Sequence, residues 1–299
     1  MTEKLPDTEN TNQPPLVSVC IPVRNCESFI EEAIQSVLTG NFQDFEIVVV
    51  DNASTDQTIA VVSAIGDPRI RILRNETNVG ACRNFNISME EARGKYIKML
   101  GADDILYKDC LAVQVPLLEE DKENAIAVVC CRRDVIDASG KVMLRGHGWP
   151  SKSKAVRLSG RSAIKQTVRT GRNLLGEPHT VLFRRIDALK LGGFDMELCK
   201  TTPFCIDWDL WCRLLQLGDL YVCEKTLVAY RVNVGSESLN LANQFADNDF
   251  RFIKSLQERS LASISDADIF IGRIRSKRDA MLRQGFYFLL GLSKLLPTR

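Results

Sequence analysis

No apolar run in this chain approaches the roughly 18 to 20 residues that a membrane-spanning helix requires, and the opening MTEKLPDTENTNQPP lacks the basic and then apolar order of a secretion signal. Both absences predict a cytoplasmic protein. Net charge is nearly absent too: 39 Lys and Arg face 38 Asp and Glu, leaving +1. That excludes an acidic or basic tail protein and gives no reason to expect a nucleic-acid partner. None of the ten cysteines forms a CxxC pair, so a zinc or dithiol site of that spacing is excluded. They read as reduced core residues, because a chain of 299 residues buries enough surface without disulfide staples. Only two histidines occur, His147 and His179, too few for a three-His metal centre or a His-rich proton relay. Neither GxGxxG nor GxxxxGK[ST] is present, so the glycine-rich cradles of dinucleotide and P-loop sites are missing and phosphate must be held in another way. No internal repeat is evident, which sets repeat architectures aside.

What is present is 45% hydrophobic residues, enough for a large core. After a polar lead-in over residues 1–15, expected to be flexible, β-rich and helical stretches alternate. Strands are predicted at 17–21, 45–50, 70–73, 96–100 and 125–131, with helices at 27–38, 54–65, 80–93 and 108–121. Runs such as Ile47-Val48-Val49-Val50 suit strands buried on both faces, so the expectation is an α/β fold with a mostly parallel, doubly wound, Rossmann-like sheet. From 136 to about 160 the pattern weakens into a hairpin or mobile loop. Beyond it lie a helix near 162–169, a β-like run at 180–183, a helix starting near Asp207, and β-like runs at 220–223 and 227–232. The organisation read from this is a nucleotide-binding half over 16–135, an acceptor-binding half over 136–238 and a helical extension over 239–299. The charge is uneven: residues 273–299 are net +6, leaving −5 for residues 1–272. The apolar stretch Met281–Leu296, flanked by basic residues, either packs on the domain or a second copy of the chain, or lies on an anionic membrane surface.

Ligands of open α/β sheets bind outside the carboxyl ends of the strands. Pro22-Val23-Arg24-Asn25 follows the first strand, Asp51-Asn52-Ala53-Ser54-Thr55-Asp56 the second, and Gly101-Ala102-Asp103-Asp104 the fourth. Neighbouring carboxylates repel unless a cation lies between them, and Mg²⁺ or Mn²⁺ commonly joins one or two carboxylates to substrate phosphates. The local alternative is that Asp103 caps the next helix and Asp104 sits in its first turn.

These three turns, with Asn78-Val79-Gly80-Ala81-Cys82-Arg83-Asn84 between them, resemble in order and spacing the GT-A glycosyltransferases of the large inverting family 2. Gly176-Glu177-Pro178-His179, Gly192-Gly193-Phe194-Asp195, Asp207-Trp208-Asp209-Leu210-Trp211 and Tyr230-Arg231 extend the resemblance to about residue 238. It implies a base-binding edge at Pro22, Val23, Arg24, Asp51 and Asn52, and Arg83 facing the diphosphate. It places Asp103 and Asp104 in the DxD-type element that meets ribose, metal (Mn²⁺ or Mg²⁺) and diphosphate, and it makes Asp207 the catalytic base. Glu177, His179, Trp208 and Arg231 fall on the acceptor or diphosphate side, although His179 also reads as a surface or core histidine. The helix N-terminus favours an ionised Asp207, ready to accept a proton near neutral pH. Asp209, two residues on, faces elsewhere and cannot pair with it. The chain departs from the family at Gly101 and Asn52, where Asp is frequent. The implied activity is transfer of a sugar from a UDP-, dTDP- or GDP-linked donor to a glycan or lipid-linked acceptor in cell-surface polysaccharide or lipopolysaccharide assembly, in the cytoplasm or on the inner membrane face. A catalytically silent sugar-nucleotide-binding module is the rival reading. A nucleotidyltransferase would need a basic, glycine-rich N-terminal loop that residues 20–26 do not supply. Trp149 in the 136–160 segment either covers a sugar ring or anchors the loop.

Overall fold

The computed structural model describes residues 2–4, 13–149, 154–202, 205–232 and 245–289. A short edge strand, β1 (Thr2–Lys4), pairs antiparallel with the far side of the sheet, so part of the expected flexible lead-in is ordered; residues 5–12 lie outside the described set. The sheet is centred on β2 (Val17–Val23) and β3 (Phe45–Asp51), whose sequences VSVCIPV and FEIVVVD are almost entirely buried. Successive residues of β3 feed opposite faces: Val48 and Val50 join one hydrophobic cluster, Ile47 and Val49 the other. With β4 (Ile70–Asn75) and β5 (Tyr96–Met99) these strands run parallel in the order β4-β3-β2-β5. The crossovers are α1 (Ile30–Leu38), α2 (Thr58–Ile65) and α3 (Ala81–Glu91). All four open their carboxyl ends toward one edge, as the sequence pattern required.

Past β5 the chain makes a turn, adds the two-residue strand β6 (Ile105–Leu106) and enters α4 (Cys110–Glu119). The next strand, β7 (Ile126–Ile136), folds back on β8 (Val142–His147) as an antiparallel hairpin, one of the two forms expected for the 136–160 segment. Trp149 is buried in the core, so it anchors this segment and does not cover a sugar. After β9 (Val156–Leu158) and α5 (Gly160–Thr170), a 3₁₀ turn at Pro178–Thr180 leads into β10 (Val181–Arg184). The four buried residues of β10 insert antiparallel between β5 and β7. The fifth predicted strand is therefore not beside the fourth, and the sheet is mixed.

Helices α6 (Arg185–Lys190), α7 (Met196–Thr201) and α8 (Ile206–Leu214) precede β11 (Asp219–Arg231), one long strand where two runs were predicted. Exposed Glu224 and Lys225 interrupt its apolar pattern, and register shifts against β7 fall in the same stretch. The strand order is β1-β4-β3-β2-β5-β10-β7-β11-β6, with β8 on β7 and β9 on β11. Two C-terminal helices, α9 (Phe245–Glu258) and α10 (Asp266–Leu289), close the chain. α10 approaches the end of α5 backbone to backbone: a Cβ on Gly272 would lie 2.2 Å from the Val168 carbonyl oxygen, so only glycine permits this contact. All ten cysteines are free thiols, eight of them buried, as composition predicted.

Candidate active site

Pro22 and Val23 complete β2, and the Val23 carbonyl accepts the Asn52 N–H at 2.8 Å, which locks the first two strand-end turns together. Arg24 projects to solvent beside Asn25, which adopts φ 51° and accepts the Thr55 N–H at 2.8 Å. Asp51 is fully buried. Its carboxylate accepts the Ser54 N–H (3.1 Å) and pairs with Arg74 Nε (3.2 Å). Asn52 accepts the Val79 N–H and donates to Asn78, both at 2.8 Å, while Asn84 donates to the Val50 carbonyl at 2.9 Å. Asn52 thus fixes the 78–80 loop and Asp51 the turn at Ser54, and Arg74 is a partner that sequence reading did not single out. Arg83 pairs along its own helix with Glu90 at 2.6 Å, so the structure does not aim it at a diphosphate; the opposite charge two turns on draws it away.

After β5 the two acids lie in a turn, with β6 next and α4 beginning only at Cys110. The helix-cap alternative is therefore excluded. Asp104 is buried, and each of its oxygens is engaged: Oδ1 accepts the Arg231 N–H (2.9 Å) and Oδ2 faces His179 Nδ1 (2.8 Å). It is a support for the loop rather than an open ligand, which corrects its expected place beside Asp103 on a metal. A Cβ on Gly101 would fall 2.4 Å from Asp104 Oδ2. The Asp104 carboxylate lies in the space that a side chain at 101 would enter. Asp103 is half-buried, and burial first, then the Asp104 charge, pushes its pKa up to about 7. A crowded acid pair of this kind fits a divalent cation that takes Asp103 and donor phosphate oxygens. Among the described residues no cluster of three or more metal-ligating side chains exists, so such an ion would rely on the donor for its remaining ligands.

His179 is 1% exposed and stacks on Tyr230, ring centroids 5.9 Å apart. It lies behind Asp104, in the core rather than on the acceptor side. With Nδ1 donating to Asp104, its Nε2 is buried without a partner. Three residues earlier, the chain turns toward the second acid. Asn173 Nδ2 donates to the Gly176 carbonyl (2.9 Å) and to Asp207 Oδ2 (3.3 Å), and Asp207 Oδ1 accepts the Trp208 N–H (2.7 Å). Burial pushes the Asp207 pKa up to about 7, against the Trp208 N–H, and the Glu177 charge adds to the rise. The helix N-terminus does not win, which overturns the expectation of a readily ionised acid. Glu177 forks onto Arg133, with Oε1 to Nη2 at 2.9 Å and Oε2 to Nε at 2.5 Å. Arg133 is buried, its Nη1 has no partner, and its charge lowers the Asp207 pKa. Arg133 and Asn173 were missed by sequence reading. The tandem Arg132-Arg133 closing an apolar run was the available signal for the first, and no local signal marks the second.

Two expected site residues are structural. Trp208 is 1% exposed, donates Nε1–H to Thr167 Oγ1 (3.1 Å) and packs on Phe252, so it anchors α8 and does not meet an acceptor. Arg231, also 1% exposed, donates to the carbonyls of Asp103 (2.8 Å), Asp137 and Ala138 (both 3.1 Å) and to Glu32 (2.6 Å). It is a tie between loop, hairpin and α1, with no free fork for a diphosphate. Asp209 is held by Arg213 (2.7 Å) and Arg259 (2.6 Å), separate from Asp207 as the helical spacing required. Ser236 and Ser238, which follow Tyr230-Arg231 in the segment of family resemblance, lie outside the described residues.

A mixed α/β sheet with acid turns at its carboxyl edge and a helix-start acid across from them is the architecture of a GT-A nucleotide-sugar enzyme. The chain matches the model of the family Glycosyl transferase family 2 over residues 18–190, and it belongs to that family. An uncharacterized protein of Mycobacterium tuberculosis is 34% identical over 205 residues, 67% of this chain and 62% of that protein. Hyaluronan synthase of Pasteurella multocida is 31% identical over 165 residues, 52% of this chain but 17% of the synthase. The chain thus spans less than two thirds of either relative. Among solved structures, S. aureus TarS (residues 1–349, with UDP) superposes with TM-score 0.61 at 21% identity over 85% of this chain and 68% of that one. The mannosyltransferase PcManGT of Pyrobaculum calidifontis, with GDP-Man and Mn²⁺, gives 0.58 at 16% over 93% and 76%. These likenesses establish the GT-A fold.

Proposed function

We propose that this chain transfers a sugar from a nucleoside-diphosphate donor to an acceptor hydroxyl with inversion, Asp207 being the general base. The observation that carries this reading is the segment Asn173–Thr180, which holds Asp207 at one end through Asn173 and Asp104 at the other through His179. On this reading one stretch of chain ties the proton acceptor to the phosphate-side acids. Asp207, with a pKa of about 7, is matched to taking a proton from a hydroxyl near neutrality as that oxygen attacks the anomeric carbon. A single in-line displacement inverts that centre. Arg133, buried beside Glu177 with Nη1 unpartnered, supplies fixed positive charge near Asp207 that tempers the rise in its pKa. Mn²⁺ or Mg²⁺ held by Asp103 would neutralise the leaving nucleoside diphosphate.

UDP and GDP-Man, bound in the two neighbouring structures, support a pyrimidine or guanine nucleotide for this chain. The hyaluronan synthase relative supports a glycan acceptor and a part in cell-surface polysaccharide assembly, and we place the reaction in the cytoplasm. Replacing Asp207 with Asn tests the mechanism. Transfer is expected to fall by roughly 10²- to 10⁴-fold while donor binding persists. A wild-type chain that binds donor but neither transfers nor hydrolyses it would point to the silent binding module instead.

A further inference from the structure

Helix α10 has two unlike faces. Asp268, Gly272 and Ser276 turn inward against α5 and α9. On the opposite side Phe270, Ile274 and Met281 form one stripe, 64%, 55% and 72% exposed, with exposed Leu282 at its margin. Side chains at these spacings share a helix face; although Ile269 packs on the core, the helix also carries this row of large apolar side chains on the side that meets water, where an ordinary surface helix is polar. Exposed Arg273 and Lys277 border the stripe on one side and Arg278 on the other. Among the described residues neither Arg273 nor Lys277 has a carboxylate partner; the Arg273 guanidinium lies 4.5 Å over the Phe250 ring. Asp279, the one acid between Phe270 and Leu282, faces inward and pairs with Arg172 and Arg278.

Charge decides the occupant. A second copy of this stripe would set Arg273 and Lys277 against basic residues like themselves, and the helix's exposed acid, Asp266, lies at its first residue, outside the stripe. An anionic lipid surface answers both the apolar stripe and its basic borders. The separate basic groove between α5 and α10, about 530 Å³ and lined by Lys165, Arg169 and Arg275, does not compete, because Asp268 stands 3.3 Å from Lys165 and 3.6 Å from Arg169.

We infer that α10 lies along an anionic membrane surface, with Phe270, Ile274 and Met281 in the boundary between headgroups and acyl chains and Arg273 and Lys277 on lipid phosphates. The inference goes beyond the transfer reaction and does not depend on the donor. It gives Asp207 a fixed attitude to the membrane: α10 is locked to α5, and Thr167 of α5 accepts the indole N–H of Trp208, the residue after Asp207. A lipid-linked acceptor would then approach from a defined side.

Flotation of the full chain with phosphatidylcholine vesicles, alone or with about three parts in ten phosphatidylglycerol, tests this. Binding is expected only to the anionic vesicles and should weaken with added salt. The triple variant F270E/I274E/M281E should lose it by at least about tenfold, and R273Q/K277Q should weaken it by roughly fivefold per charge. Both variants alter only solvent-facing side chains, so both should melt as the wild type does. No binding to either vesicle, equal binding to both, or a dimer in solution that the triple variant dissolves while vesicles are ignored would each overturn the inference.

Discussion

Asp207 is where two local influences oppose each other. The start of α8 favours its carboxylate, yet burial is the larger effect and raises the pKa to about 7. Transfer is therefore expected to climb with pH and level off above that value, and a rate flat over about two units on either side would remove Asp207 from the role. For stability the sign is opposite. The folded chain keeps this proton across a range, from 3.8 up to about 7, in which the unfolded chain has released it, so stability falls as pH rises through that window. D207N cannot ionise, and its melting temperature should fall less than that of the wild type over the same range. His179 acts through Asp104. Removing its N–H in H179A leaves a buried carboxylate oxygen without a donor, at a cost of roughly 1–3 kcal/mol. His179→Asn, which carries an N–H in nearly the place of Nδ1, should recover much of that loss in urea unfolding and much of any loss in donor binding. Equal damage from both variants would mean that ring packing on Tyr230, rather than the hydrogen bond, is what matters.

Between elements, the heaviest tie is Arg231 at the end of β11. Its guanidinium reaches the acid turn after β5, the β7–β8 hairpin and α1, three pieces distant in sequence that border the nucleotide edge. Arg231→Met fills the same volume but strands those acceptors, and about 3–5 kcal/mol of stability should be lost in denaturant unfolding. A loss under about 1 kcal/mol would show that water replaces the tie. Helix α8 is fixed in a comparable way by Trp208 on Thr167 and by Asp209 between Arg213 and Arg259. Those contacts fix the first turns of α8, where Asp207 sits.

For the whole molecule, nucleotide binding should be visible as stabilisation, since a ligand that binds only the folded chain adds about 2.7 kcal/mol at a hundred times its Kd. Among UDP, GDP, dTDP and CMP one is expected to raise the melting temperature, and more so with Mn²⁺. A shift that ignores Mn²⁺ would remove Asp103 from metal binding, and no shift with any of them would remove the donor site itself. The parallel half of the sheet, its helices and the acid turns at its carboxyl edge were legible because strand and helix periodicity are local and parallel strands present their ends together. By itself the sequence thus determined the fold class and the family likeness carried by Asp51, Asp103 and Asp207. Only the tertiary structure decided which of those groups are already engaged: Asp51 by Arg74, Asp104 by His179 and Arg231, Arg83 by Glu90. It also decided that Asp207 is held near neutrality, that Arg133 lies beside it, and that α10 turns its apolar stripe outward. Burial and partners that arrive from distant parts of the chain leave no mark on the local pattern, and they are what set a carboxyl group's pKa and its freedom to bind.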